Sequence, residues 1–232
     1  MKSGIPVALF LAGLFVSAGP SLAQNASLAQ KVQQVKQIMA ANKQQLSRYT
    51  WQTQETISVN GGVKEQTVYQ VQLGPDGQQV RTLIAQPVAP SSGGRQHGII
   101  HRVKEDFKAY AQQVGALAKS YSPLNSAKIQ QLYAAGSVTV KSAGSPGYSA
   151  ILISNYLKAG DAIVLTLRNN PKALTSVDVS SYLAQPSDVV TMQVRFASLP
   201  DGTRYASTTT VNGQSKSLTI VDRSMNFTPQ TR

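Results

Sequence analysis

The sequence predicts an α+β fold in which a curved antiparallel half-barrel of about ten strands is covered by an N-terminal helix and a two-helix insertion. About ten segments alternate apolar and polar residues with a period of two, which is typical of strands that bury one face. Turns of a few residues join most of these segments, so neighbouring strands must pair antiparallel. A flat sheet of this length would expose long edges, and we therefore expect it to curl.

The first 23 residues have the pattern of a secretory signal peptide. Lys2 precedes an apolar run over residues 5–16, and Ser21-Leu22-Ala23 is a small-x-small exit before Gln24. We expect residues 24–232 to form one exported domain, periplasmic or secreted. No later stretch approaches the roughly 20 apolar residues of a transmembrane helix, so we expect no spanning segment in the mature chain.

Composition narrows the classes of function. The chain has no cysteine, which excludes disulfides, thiolate metal sites and cysteine nucleophiles. One of the 22 Lys and Arg residues, Lys2, precedes Gln24, so the mature chain carries 21 basic against 10 acidic residues, a net charge of +11. This balance favours an anionic envelope component as a partner, and export argues against nucleic acid. The alternative is that excess lysine only keeps the protein soluble.

Residues 27–48 predict the N-terminal amphipathic helix, because their apolar residues fall on one narrow stripe at helical spacing. Its basic residues, including Lys36 and Lys43, have no acidic counterpart within the helix. From Tyr49 the period changes to two, and Trp51, Ile57 and Val59 share its parity.

Two further strands follow the first one. The sequence Asn60-Gly61-Gly62 predicts a tight hairpin into a strand that contains Tyr69 and Val71. A turn at residues 74–77 then leads to a third strand over residues 79–85. These three strands are predicted to form a meander with one apolar side.

The helical insertion is predicted at residues 99–135, after a flexible Pro- and Gly-rich linker at residues 86–98. Its first helix has an aromatic-rich apolar face containing Phe107, Tyr110 and Val114. Lysines project from a different side of this helix: Lys104, Lys108 and Lys119. A short next helix opens at Pro123 or Asn125, and Gly136 is placed to end it in the left-handed conformation.

Seven more strands are predicted after this insertion. They are expected at residues 138–141, 148–154, 162–168, 174–182, 189–196, 204–211 and 216–222, with turn signals such as Asn212-Gly213 between them.

No motif in the chain predicts catalysis. His97 and His101 are four residues apart, but the third metal ligand is not evident, and two solvated histidines beside a linker are the simpler interpretation. There is no Gly-x-Ser-x-Gly elbow. Ten acidic residues could supply paired carboxylates, Glu55 and Asp222 among them. We therefore expect a protein that is not an enzyme and that needs no metal or cofactor.

The order of elements, with a strand that begins Tyr49-Thr50-Trp51 and a late hairpin at Leu199-Pro200-Asp201-Gly202, resembles the periplasmic lipoprotein-carrier (LolA/LolB-like) superfamily and, more closely, uncharacterised secreted bacterial proteins. The resemblance covers nearly the whole mature chain. It implies an incomplete β-barrel whose concave apolar face, capped by helices, could shelter an acyl chain. No ligand-contacting residue carries over position by position.

The sequence therefore favours a periplasmic carrier or binding protein for a lipid, an acylated molecule or another apolar ligand. The candidate lining of an apolar cavity is Trp51, Tyr69, Val71, Phe107, Tyr110 and Val114, with glycines 93 and 94 as a hinge. The simpler interpretation is that these side chains only fill a hydrophobic core and line no cavity. An alternative function is an envelope interaction protein that binds an anionic polymer or protein through Lys36, Lys43, Lys104, Lys108 and Lys119; a hydrolase is least favoured.

Overall fold

The computed structural model describes residues 41–85, 99–122 and 124–230. For residues 99–104 and 126 it describes the backbone but not the side chain. Three predicted features lie outside these residues: the signal peptide, most of the N-terminal helix, including Lys36, and the linker, which contains the glycine hinge and His97. The side chains of His101 and Lys104 also lie outside them.

Within the described residues, ten strands form one antiparallel sheet, as the alternating pattern predicted. They are β1 (Tyr49–Val59), β2 (Gly62–Leu73), β3 (Gln79–Ala85), β4 (Val138–Ser142), β5 (Tyr148–Ser154), β6 (Ala162–Asn169), β7 (Lys172–Tyr182), β8 (Val189–Ser198), β9 (Arg204–Gly213) and β10 (Leu218–Pro229). The spatial order is β3-β2-β1-β10-β9-β8-β7-β6-β5-β4. The sheet is a curved, open half-barrel, and the predicted fold class is confirmed.

Two meanders make up this sheet, and they join where the first strand pairs with the last. Strand β1 lies between β2 and β10, with Ile57 opposite Ile220 and Glu55 opposite Asp222. Strands β3 and β4 are the two edges. Since β1 and β10 are neighbours in the interior of the sheet, residues from the two ends of the described chain lie on one surface.

Three helical segments accompany the sheet in the described ranges: α1 (residues 41–46), α2 (Ile99–Ser120) and α3 (Ser126–Ala134). The Asn125 side chain caps α3 by accepting a hydrogen bond from the backbone N–H of Lys128 at 3.1 Å. Gly136 follows with a φ of +74°, the left-handed conformation predicted for it. None of these helices is long and apolar enough to cross a membrane.

The end of β9 differs from the prediction. Asn212 and Gly213 are not a hairpin turn but the last residues of β9, and the chain reverses through a 3-10 turn at Gln214–Lys216 and a left-handed Ser217. The role of Gly213 is a close approach, because a Cβ there would lie 2.7 Å from the Tyr110 hydroxyl and 3.0 Å from Val114 Cγ2. Strand β10 then begins two residues later than predicted and runs to Pro229.

One face of the sheet, the inner face, is apolar and packs against the helices. Its larger part is the main cluster, in which Val114 of α2 meets strands β5 to β10. Buried members from the strands include Ile153, Ile163, Val177, Val179, Met192, Val194, Val211, Leu218 and Ile220. The opposite face carries Thr, Ser, Gln and Asn side chains at the alternate positions, which gives the period of two seen in the sequence.

Candidate functional site

The six residues predicted to line a cavity lie on the inner face of the sheet or on the helix α2 that packs against it, in two groups. Tyr110, Val114 and Phe107 belong to or pack against the main cluster. Trp51, Val71 and Tyr69 belong to or pack against a second cluster, formed with Leu46 and Leu73. We call this second group the Trp51 cluster. The structure thus assembles each half of the predicted lining but places the halves in different clusters.

Aromatic rings border the Trp51 cluster. The indole of Trp51 is buried and stacks on Phe227, with ring centroids 5.6 Å apart and an interplanar angle of 14°. Tyr205 packs on the same Phe227 ring at 4.3 Å. The rings of Tyr69, Tyr205 and Phe227 are only half-buried, so the cluster has an accessible aromatic margin.

Helix α2 is held to the sheet by two tyrosines that donate hydrogen bonds to carboxylates. Tyr110 donates to Asp188 at 3.0 Å. Directly after the last residue of the helix, Tyr121 donates to Asp161 at 2.5 Å, and its hydroxyl lies 2.8 Å from that of Ser181. Burial, followed by the hydrogen bond to the carboxylate, raises the pKa of both tyrosines. Both therefore stay neutral donors at physiological pH.

Asp161, in the loop between β5 and β6, also has a buried carboxylate that organises the surrounding backbone. Its carboxylate is almost fully buried and accepts backbone hydrogen bonds from Tyr156, Leu157 and Lys158, in addition to the Tyr121 hydroxyl. A carboxylate with that many donors is well compensated for its burial. It fixes the β5–β6 loop under the end of α2.

Between the two clusters, a row of polar side chains crosses the inner face. Thr67 of β2, Glu55 of β1, Asp222 of β10 and Thr209 of β9 lie directly opposite one another along the row, and all four are buried. We call these four residues, with Arg81, the polar strip. Along β1 the strip separates Trp51 from Ile57, which packs on the main cluster.

Arg81 reaches into this row from the edge strand β3. Its guanidinium Nη2 donates to Asp222 Oδ2 at 2.8 Å, and its Nη1 lies 3.7 Å from Glu55 Oε2. The guanidinium carbon lies 5.7 Å from the centre of the Tyr69 ring, within the range of a cation–π contact. The Arg81 side chain is only 9% exposed, so the network is shielded from solvent.

Burial shifts the acid–base equilibria of the strip. It raises the pKa of Glu55 from 4.5 to about 7, reinforced by the negative charge of Asp222 and opposed by Arg81. Burial also raises the pKa of Asp222, against the opposing effects of the charge and hydrogen bond of Arg81. Two carboxylates on directly opposed residues repel each other, and one guanidinium serves both. Near neutral pH, the strip is poised between binding and releasing a proton.

Two carboxylate oxygens of the strip lack a donor. Glu55 Oε2 and Asp222 Oδ1 are buried and accept no hydrogen bond from any residue in the described part of the chain. A buried acceptor left without a donor costs roughly 1–3 kcal/mol, so such atoms call for an explanation.

The sequence interpretation did not single out this strip. Glu55 and Asp222 were considered only among ten acids, and Arg81 was not considered. A signal was nevertheless present, because Glu55 has the same parity as Trp51 and Ile57 in β1 and must therefore point to the apolar face. An acid at an apolar strand position marks either a buried network or a functional group.

Three members of the predicted basic surface lie within the described residues: Lys43, Lys108 and Lys119. Lys108 and Lys119 are exposed on α2, eleven residues apart, which separates them by about 16 Å along the helix. Lys43 of α1 instead lies over the β2–β3 turn at Gly77, with its Nζ 3.5 Å from the carbonyl of Asp76. Binding of an anionic partner through these lysines stays a prediction.

No group of three or more His, Cys, Asp or Glu side chains suited to a metal occurs within the described residues. His97 and the side chain of His101 lie outside the described part of the chain.

Neither the protein-family models nor the curated proteins give a match to this chain. Among solved structures, the chain is similar to a DUF1329 family protein from Desulfovibrio piger, with 14% sequence identity and a TM-score of 0.38. That match covers 83% of this chain and 90% of the other. The half-barrel assignment comes from the sheet itself. The resemblance to lipoprotein carriers stays a prediction.

Proposed function

We propose that the protein is an exported carrier or binding protein that holds an apolar or acylated ligand against the inner face of its half-barrel. The observation that carries this proposal is the accessible aromatic margin of the Trp51 cluster. Aromatic side chains offer large, rigid contact areas to an apolar chain, and partly exposed apolar surface next to a core is where such a ligand gains most by binding. No catalytic role is included in the proposal.

The apolar surface continues from this margin to the edge of the sheet. Leu83 of β3 lies opposite Tyr69 in the β2–β3 ladder, so both side chains belong to the inner face. The Leu83 side chain is 51% exposed. Because Tyr69 packs against the Trp51 cluster, a ligand chain that covered Leu83 and Tyr69 would extend from that cluster to the edge strand. Burying one more leucine side chain is worth roughly 1–2 kcal/mol.

Trp51 is the only tryptophan of the chain and therefore reports directly on this site. A dodecanoate brominated along its chain should quench Trp51 fluorescence, whereas unbrominated dodecanoate should not. The substitution Leu83→Ser should weaken binding about tenfold, the equivalent of about 1.4 kcal/mol. Val140→Ser is the matched control, because Val140 is an exposed aliphatic residue on the other edge strand, β4. Equal affinities of the two variants would contradict the proposed position of the ligand.

A second experiment asks whether a natural ligand accompanies the protein. Native mass spectrometry of protein purified from cells without detergent should show an added mass that organic extraction removes. The intact mass of the same protein tests the proposed export, since cleavage after Ala23 leaves a chain that begins at Gln24.

A further inference from the structure

The polar strip has an unbalanced charge. Arg81 contributes one positive charge, whereas Glu55 and Asp222 together can carry two negative charges. With both acids ionised, the Glu55–Asp222–Arg81 network has a net charge of −1 while its three side chains are all less than 10% exposed. Burying an excess charge is costly, so the network favours uptake of one positive charge.

The geometry shows where that charge would sit. Glu55 Oε2 and Asp222 Oδ1 accept no hydrogen bond from the described residues, although Arg81 Nη1 lies 3.7 Å from Glu55 Oε2, and the two acids are directly opposed residues of the β1–β10 ladder. The other oxygen of Asp222, Oδ2, is already occupied by Arg81. A compact donor on the inner face, above the paired residues Glu55 and Asp222, would therefore have two carboxylate acceptors.

The apolar clusters on both sides of the polar strip restrict the kind of molecule that can carry the positively charged donor. Trp51 and Phe227 lie on one side of the strip. On the other side lie Ile220, which belongs to the main cluster, and Ile57, which packs against it. A free, hydrated cation would lose its water without gaining apolar contacts there. A cation attached to an apolar chain would place the chain against a cluster and the charge on the strip.

We propose that the polar strip binds the primary ammonium group of an amine-bearing amphiphile, which makes long-chain primary amines the ligand class of this protein. This inference rests on the proposed apolar-ligand function and specifies its polar end. An ammonium group supplies three hydrogen-bond donors in a small volume and suits converging oxygen acceptors better than a planar guanidinium does.

Protons should compete with this ligand. The titratable and charged groups that act on Glu55 are Asp222 on β10, Arg81 on β3 and Glu65 on β2, and Tyr69 on β2 is coupled to the same charges. Below about pH 7, Glu55 takes up a proton and the excess charge disappears, while an alkyl amine stays protonated up to about pH 10. Amine binding should therefore weaken as the pH falls from about 8 to about 5.

The test compares three probes with the same chain: dodecylamine, dodecanol and dodecanoate, each below its aggregation concentration. Calorimetry and Trp51 fluorescence at about pH 8 should rank the amine first. Glu55→Gln should weaken amine binding about tenfold or more, as expected for a lost charged hydrogen bond, and change dodecanol binding less than about twofold. Glu105→Gln removes the same charge from an exposed position of α2 and should change neither.

Glu55→Gln keeps the hydrogen bond between Arg81 and Asp222, which favours a folded variant. A second measurement needs no variant: in a carboxyl NMR titration of the wild-type protein, saturating dodecylamine should lower the pKa of Glu55. If all three probes bind equally and Glu55→Gln changes nothing, the ammonium inference is wrong while the apolar-ligand proposal survives. If no probe binds, both are wrong.

Discussion

Glu55 should make the stability of the protein fall as the pH rises from about 4.5 to about 7. Burial raises the pKa of this carboxyl from 4.5 to about 7, so the folded state holds the proton more tightly than the unfolded state between these values. As the pH rises, the state that binds more protons becomes less stable relative to the other state. The contribution of Glu55 to the free energy of unfolding is therefore most favourable below about pH 4.5. This contribution is fully lost above about pH 7.

The size of the effect follows from the same values. A change in pKa from 4.5 to about 7 corresponds to about 3 kcal/mol at 1.36 kcal/mol per pH unit. Glu55→Gln cannot ionise and keeps the shape of the side chain. Relative to wild type, the variant should gain up to about 3 kcal/mol in free energy of unfolding across this window, and it should be the more stable protein at about pH 8.

Urea unfolding followed by Trp51 fluorescence and circular dichroism, repeated at several pH values between about 4.5 and 8, measures this difference. Glu105→Gln is the control and should give a curve parallel to that of wild type. If the Glu55→Gln and wild-type curves also stay parallel, Glu55 is not a buried acid that titrates near neutrality, and the polar strip carries no excess charge that depends on pH in this range.

Three further changes test the packing of the helices on the sheet. Tyr121→Phe removes the buried hydrogen bond to Asp161 and should lower the free energy of unfolding by about 1–3 kcal/mol in urea titrations; an unchanged midpoint would show that this bond does not hold α2. Gly213→Ala should cost about 1–3 kcal/mol because its Cβ would lie 2.7 Å from the Tyr110 hydroxyl, and a neutral result would mean that α2 can shift without cost. Asn125→Ala should cost about 1 kcal/mol through loss of the α3 cap, measured by thermal unfolding, with Asn125→Asp expected to retain most of the stability.

Local patterns in the sequence were sufficient to predict the strands. The alternation from Tyr49 onward and the Asn60-Gly61 hairpin both reflect backbone geometry that neighbouring residues determine, and both appear in the structure. Gly213 shows the limit of this approach. The same Asn-Gly signal that marks a turn after β1 marks a contact with α2 at the end of β9, and only the tertiary position of the helix distinguishes the two.

The candidate site could not be predicted in the same way, because it depends on the pairing of β1 with β10. Glu55 and Asp222 are 167 positions apart in the sequence, and no periodicity in one strand specifies its partner in another. Arg81 enters from a third strand and reaches the two acids diagonally across Tyr69. Parity alone could have placed Glu55 on the apolar face, but its neighbours follow from topology.

The position of the polar strip also bears on its role. It interrupts the inner face between the Trp51 cluster and the main cluster, where apolar residues would join the two into one core. Replacing a buried ionic network by apolar side chains is often neutral or stabilising, so stability of the fold alone does not account for these charges. A bound ammonium group would neutralise the excess charge and supply the missing donors, which couples ligand binding to stability. It follows that the same amine should stabilise the folded protein more above pH 7, where Glu55 is ionised, than at lower pH, where a proton already occupies its place.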